Sequence, residues 1–355
     1  MKLRLSKHIA LISLTFILFS CNGQSNQKKT KEKTLLGKIE KPNGNVHRGF
    51  LDKDDNLWFG TNNDGLYKYD GSKFVHFTEQ DGISNKKISC IYQANNGDLW
   101  FGTTNGIYIF NGTEFTHLKI PKTEISTDWL KKSFPAVNPN EVQSINQDIN
   151  GIYWLGTNGA GAYRYDGETF TNHLEKIGDP MPDGLYHNII QSITRDNNGN
   201  LWFASMSHGG VSKFDGKDFF HFGIKDGLSD NMIRTIYTDS KGVIWFGFNG
   251  SRKSGLTSYN GEFNTYSEND GLCNPSILSI YEDKSGNLWL GSGRNGLCIF
   301  DRKSFIEFES KQGKINSRIL FVLGDSENNI WFGNGRNLFW KYDGEKVTDM
   351  TRENE

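Results

Sequence analysis

Asp52–Phe77, DKDDNLWFGTNNDGLYKYDGSKFVHF, holds three short apolar runs: LWFGT, GLYKY and KFVHF. An Asp/Asn-rich turn precedes the first run, a Gly-bearing turn separates the first two, and Asp70-Gly71 separates the last two. Turn residues that supply positive φ between aromatic and β-branched runs mark hairpins. With Val46–Leu51 as a further run just upstream, the unit reads as a four-stranded antiparallel meander, strands A to D. One such sheet cannot bury both faces alone and needs copies of itself to stack on.

The copies are present. Aligned on the Trp of strand B, the chain shows Trp58, Trp100, Trp154, Trp202, Trp245, Trp289 and Trp331, at spacings of 42, 54, 48, 43, 44 and 42. Six residues before each stands Asp, except for Ala94, and three before each stands Gly, except for Asp55 and Asn328. Two after each stands Gly, except for Ala204. A period in the forties with four strands per repeat predicts an all-β fold, a single seven-bladed β-propeller of four-stranded antiparallel blades over residues 44–351. The Trp column is expected to wedge between blades, each ring burying roughly 150–250 Å². The Asp-x-x-Gly turn is expected to close the A–B hairpin, with the Asp bonding nearby backbone N–H groups. A calcium loop is the sharper alternative at Asp52, Asp54 and Asp55, but the turn recurs where no second acid exists, so no metal site is expected.

SIYEDKSGNLWLGS at Ser279–Ser292 and DGLSDNMIRTIYTDSKGVIWFG at Asp226–Gly247 carry the pattern most fully. They resemble the two-component-regulator propeller repeats of bacterial hybrid sensor proteins, and the resemblance covers nearly all of the chain beyond its leader. In that family the propeller usually comes doubled and precedes an immunoglobulin-like domain, a membrane helix and a histidine kinase. The sequence ends at Glu355, so a stand-alone module is expected, which could signal only by handing binding on to something else.

Of the 355 residues, 40 are Gly and 7 are Pro, which suits many tight turns and few rigid linkers. Met1 to Ser20 has a basic start and an apolar run from Ile9 to Phe19, too short for a comfortable membrane span, and reads as an export signal. Leu18-Phe19-Ser20-Cys21 resembles a bacterial lipobox, which implies lipidation at Cys21; a plain secretory signal is the alternative. Residues 21–43 are expected as a flexible tether, because Asn22 to Lys33 has too little apolar content to fold. Removing Lys2, Arg4 and Lys7 with the leader leaves 37 basic against 41 acidic residues, a balance of −4 that argues against nucleic acid as a partner. The expected place is the cell envelope, lipid-anchored, on the periplasmic face of the outer membrane.

The remaining cysteines, Cys90, Cys273 and Cys298, have no CxxC spacing, and a zinc site is not expected. Cys273 and Cys298 fall in one repeat but on strands separated by a third, so their pairing is the less favoured reading. His76, His117, His173 and His221 all fall on strand D, the outermost strand, and are expected at the exposed surface rather than converging on a metal.

Ten residues before each Trp, on strand A, the column reads Arg48, Cys90, Ser144, Ser192, Thr235, Ser279 and Phe321. Small residues are expected where seven innermost strands crowd an axis, and Arg48 and Phe321 are expected to plug the channel. The A–B and C–D turns form a monotonous rim. Irregularity gathers on the rim of the B–C and D–A loops. There the insertion Pro121–Pro139 carries Trp129, Phe134 and Lys131-Lys132, and Glu175–His187 carries Tyr186 and His187. B–C loops of the same rim hold His208, Arg252, Lys253, Arg294 and Arg336.

Loops on a rigid scaffold are the usual carriers of function. Arg forks, Asn amides and exposed rings suit a polar, ring-shaped, anionic ligand such as an acidic glycan. The ligand-binding residues are therefore expected to be Arg252, Lys253, Arg294, Arg336, His208, Tyr186, His187 and Trp129, with no catalytic residue and no cofactor. Loop charges that merely solvate the rim are the alternative. The expected partners are an oligosaccharide or another small polar ligand, an envelope protein, and the membrane through the lipid anchor. Three functions stay open: a sensory ligand-binding module, a protein–protein scaffold, and a lyase or hydrolase. An enzyme needs convergent carboxylates or a His–carboxylate pair on the variable rim, where the B–C loops offer Asp64 as their only acid.

Overall fold

A computed structural model describes residues 36–123, 132–174, 186–249, 255–311 and 313–351. Seven antiparallel sheets each take four consecutive strands, in the order A-B-C-D. Blade 1 runs Val46–Leu51, Leu57–Thr61, Leu66–Tyr69 and Phe74–Phe77. Blade 7 runs Phe321–Gly324, Ile330–Gly333, Phe339–Tyr342 and Val347–Asp349. Each strand A lies against strand A of the next blade, and that of blade 7 against that of blade 1, so the ring is closed.

The hairpins close as their turn residues require. All seven positions three before the Trp are left-handed, including Asp55 at φ 60° and Asn328 at φ 72°, where short polar side chains tolerate what Gly adopts elsewhere. The Asp of each turn accepts backbone N–H groups of its own turn, as Asp196 does from Asn198 (3.0 Å) and Asn200 (2.9 Å). It also accepts the indole N–H of the Trp, a bond that ties turn to wedge. The distance is 2.7 Å for Trp58–Asp52, 2.9 Å for Trp202–Asp196 and 2.8 Å for Trp331–Asp325. Only blade 2, with Ala94 in the Asp position, leaves its indole Nε1 (Trp100) buried with no partner.

The Trp column wedges between blades, as expected. Trp58 packs on Phe101 and Phe110 of blade 2, Trp154 on Phe203 and Phe214 of blade 4, and Trp331 on Phe59 and Tyr69 of blade 1. The last of these closes the ring by side chains. Backbone seals it too: Gly335 N–H donates to Val46 O (2.9 Å), and Asn62 Nδ2 donates to Gly335 O (2.8 Å). Among the described residues no strand is exchanged between the termini. Lys38–Ile39, in a stretch whose sequence leaves a further strand open, adds a fifth strand to the outer edge of blade 1, opposite His76 and Val75.

Two expectations are corrected here. Cys273 and Cys298 form a disulfide, with Cα atoms 5.9 Å apart. Cys273 precedes strand A of blade 6, Ile277–Glu282, in the D–A loop, so no intervening strand keeps it from Cys298 on strand C, Leu297–Phe300. Disulfides persist in oxidising compartments, which agrees with an exported chain. The strand-D histidines are not an exposed surface. His76 is buried, and His117, His173 and His221 are half-buried. His76 and His117 stand opposite Tyr67 and Tyr108 on strand C and stack on those rings, at centroid distances of 4.1 and 4.5 Å. A cross-strand aromatic partner covers a ring even on an outermost strand.

Candidate functional site

The two rims differ in how their polar groups are satisfied. On the A–B/C–D rim the turns satisfy themselves: Asp70 accepts from the N–H groups of Ser72 and Lys73 at 3.0 Å each, and Asp343 does so from Glu345 and Lys346. Those bonds hold the exposed Asp70 carboxyl at about 2, below its ordinary value. On the other rim, B–C loops bind the D–A loops that follow them. Gly65, Gly161, Gly210 and Gly296 donate N–H to Lys86, Asn188, Asn231 and Ser317 carbonyls at 2.7–2.9 Å. The side chains of this rim are left to vary.

One sector gathers His208, exposed on the B–C loop of blade 4, with Phe134 of the long insertion, the ring centroids 6.3 Å apart. Tyr186 anchors beneath, its carbonyl accepting from Ser205 Oγ (2.8 Å) and Ser207 Oγ (2.9 Å). His187 offers no surface to a ligand. It is 2% exposed, hydrogen-bonded to Ser212 Oγ at 3.1 Å and packed on His221, and burial first, then His221, pushes its imidazole down to about 3. Arg294 and Arg336 stand exposed in a second sector, on blades 6 and 7, and neither makes an ion pair with any described residue. Trp129, Arg252, Lys253 and Cys21 lie outside the described residues.

Below this rim opens the axial channel, a cavity of about 220 Å³. Each strand A of blades 1 to 6 carries a register shift just before the column of small residues, at Val46/Arg48 in blade 1 and Ile233/Thr235 in blade 5. Such a bulge lets two consecutive residues face one side. In blades 3 to 6 the cavity is accordingly lined by pairs, Gln143 with Ser144, Gln191 with Ser192, Arg234 with Thr235 and Leu278 with Ser279, and blade 7 adds Leu320 and Phe321 without a bulge. Arg48 and Phe321 do stand in the channel, but they line the cavity rather than fill it.

Sequence reading missed Arg234, together with Arg318, Lys87 and Glu141 at the channel mouth. All four belong to columns one and three residues upstream of the one that was read. Lys87 Nζ and Glu141 form an ion pair at 2.6 Å, and Glu141 also accepts from Ser89 Oγ (2.5 Å) and Asn158 Nδ2 (3.0 Å). His47, buried at the same level, is pushed well below its ordinary value by burial first and then by the cations Arg48, Lys87 and Arg234. Arg318 is held below its ordinary value by burial and then by Arg336. The rim arginine thus stands within electrostatic reach of the channel mouth.

Four segments of the chain, residues 82–105, 186–207, 227–250 and 271–294, match the family model described as two component regulator propeller. The extracellular domain of a putative hybrid two component system from B. thetaiotaomicron is similar in structure, with a TM-score of 0.63 and 24% identity over 84% of this chain and 39% of that one. Virginiamycin B lyase from Staphylococcus aureus shares the fold at TM-score 0.62 and 16% identity, over 84% of this chain and 97% of that one. A histidine kinase, P4, of Formosa agariphila is 24% identical over 160 residues, 43% of this chain. The chain matches only 11% of that kinase's length.

Proposed function

We propose that this chain, a propeller built of two-component regulator repeats, is an envelope-anchored sensory module that binds an anionic, glycan-like ligand on its B–C/D–A rim. The observation that carries the reading is the asymmetry of the rims. On one, each turn's Asp is bonded within its own turn, as at Asp70 and Asp343; the other exposes Arg294 and Arg336 without an ion-pair partner among the described residues. Exposed guanidinium forks recognise carboxylate and sulfate geometry bidentately. Phe134 and His208 in the neighbouring sector supply ring surface for a sugar face. Lipidation at Cys21 would hold the module at the membrane, on the periplasmic side.

Thermal unfolding against a panel of acidic and neutral oligosaccharides tests this reading. Acidic members are expected to raise the melting temperature, and the rise should shrink with added salt. Arg294→Ala and Arg336→Ala should each weaken binding while leaving the ligand-free melting temperature unchanged. If no acidic oligosaccharide shifts the transition, or if both variants bind as the wild type does, the rim is not the site.

A further inference from the structure

Arg48 on blade 1 and Arg234 on blade 5 stand three blade steps of about 51° apart, roughly opposite each other across the channel. Both line the same cavity. Both are enclosed by protein and desolvated, although each keeps some surface open to the channel itself. Arg48 donates Nε–H to Ser89 O (2.6 Å) and Nη1–H to His47 O (3.0 Å). Arg234 donates through Nη1 alone, to Gln191 Oε1 (3.0 Å) and Met206 Sδ (3.4 Å). Of five guanidinium N–H groups each, three on either arginine have no acceptor among the described residues.

No described carboxylate pairs with either guanidinium. Glu141, the carboxylate that acts on both, is bonded to Lys87. Arg48 and Arg234 thus share a field with a third cation, Arg318, while the one acid that relieves both, Glu141, is shared with Lys87. Burial, then repulsion from Arg48 and Arg318, presses Arg234 down to about 9 against the partial relief of Glu141. A lysine there could shed its proton, but an arginine keeps its charge, so the cost stays until an anion removes it.

We propose that the axial channel is a binding site for a small hydroxylated carboxylate, about one sugar acid in size, whose carboxylate bridges Arg48 and Arg234. The cavity, at about 220 Å³, lies below the roughly 300–1,000 Å³ of pockets for larger ligands. Its walls carry the hydroxyls of Ser144, Ser192, Thr235 and Ser279 and the amides of Gln143 and Gln191. Leu278, Leu320 and Phe321 supply an apolar wall for the carbon face. The site deepens the proposed rim function and rests on that reading for its route of entry, past Arg336 and Arg318.

Titration calorimetry of the full chain with glucuronate, gluconate, glucose and inorganic phosphate tests the site. Glucuronate and gluconate should bind and glucose should not. Arg48→Gln and Arg234→Gln should weaken both acids by about 10- to 100-fold, the worth of one charge-assisted contact. Lys241→Ala, on the opposite rim, should bind like the wild type. Arg234→Met should raise the ligand-free melting temperature by removing an uncompensated charge; a fall would mark a structural brace and overturn the proposal. Failure of both acids to bind, or binding of phosphate alone, would also overturn it. If Arg234→Gln binds the acids normally while Arg294→Ala has lost oligosaccharides, the axial site is refuted and the rim reading stands. If the acids need Arg234 while Arg294→Ala still binds oligosaccharides, the rim reading fails and the axial site stands.

Discussion

Restoring the missing acceptor in blade 2 should stabilise the propeller. Trp100 Nε1 is buried without a partner, whereas the other six indoles donate to an Asp carboxylate at 2.7–3.5 Å. Ala94, fully buried, occupies that Asp position. An orphaned buried donor costs about 1–3 kcal/mol, and Ala94→Asp removes that cost while capping its own turn. A second carboxylate opposes it. Asp98 sits where four other blades have Asn, and Asn96 Nδ2 holds its Oδ2 at 2.8 Å. Two like charges about 4 Å apart repel by roughly 1 kcal/mol in water, more when partly buried. The single variant should therefore gain little, and Ala94→Asp with Asp98→Asn, which recreates the turn of blades 4 and 6, should gain about 1–2 kcal/mol. In thermal unfolding that is a rise of about 2–4 °C. The indole bond is isolated by repeating the pair in a Trp100→Phe background, where the gain should vanish. A pair variant that melts no higher than the wild type, or one whose gain survives Trp100→Phe, refutes the assignment of the Asp column to the indole.

Trp202→Ala should lower stability by about 3–5 kcal/mol, the range for emptying a large aromatic site, and denaturant titration reads it directly. At the outer edge of blade 1, Glu40 Oε1 bonds His76 Nδ1 at 2.6 Å. Burial raises the Glu40 carboxyl, but bonds from Lys38 and His76 outweigh it and hold the group below its ordinary 4.5. A depressed carboxyl stabilises above its unfolded value and loses that contribution as pH falls through the folded one. The protection factors of the Lys38 and Ile39 amides should therefore fall as pH drops below the ordinary 4.5 of Glu40, and at neutral pH in His76→Ala; unchanged protection in both would exclude the clamp. Cys21→Ala, or globomycin treatment, should release the protein from membranes, and a wild type that is soluble and carries no acyl mass would contradict lipidation.

The sequence by itself determined the blade count, the strand order and the turns, because each obeys a local rule repeated seven times. The left-handed positions show this, since Gly, Asp55 and Asn328 are the residues that adopt positive φ at low cost. The wedge role of the Trp column was equally legible, as one large apolar side chain per blade has a single interface to fill. What the Asp column does beyond its turn was not, because an indole bond joins side chains across a hairpin whose twist no spacing states. Cys273 and Cys298 were misjudged for a similar reason: assigning Cys273 to a strand hid the freedom of a loop residue. The charged rim loops were visible in outline, yet His187 proved buried beneath Ser212 and His221.

The channel exists only once the ring is closed. Period-two alternation turns every second residue of strand A away from the axis, and on that rule Arg234 and Gln191 belong to the far face. The bulge in strands A of blades 3 to 6 suspends the rule for one residue, and there both neighbours line the cavity. The seven strands A face one another around a single axis, so residues 186 positions apart in the chain, Arg48 and Arg234, share one cavity. Alternation is local and can be read along a strand. The convergence of charge depends on closing the ring.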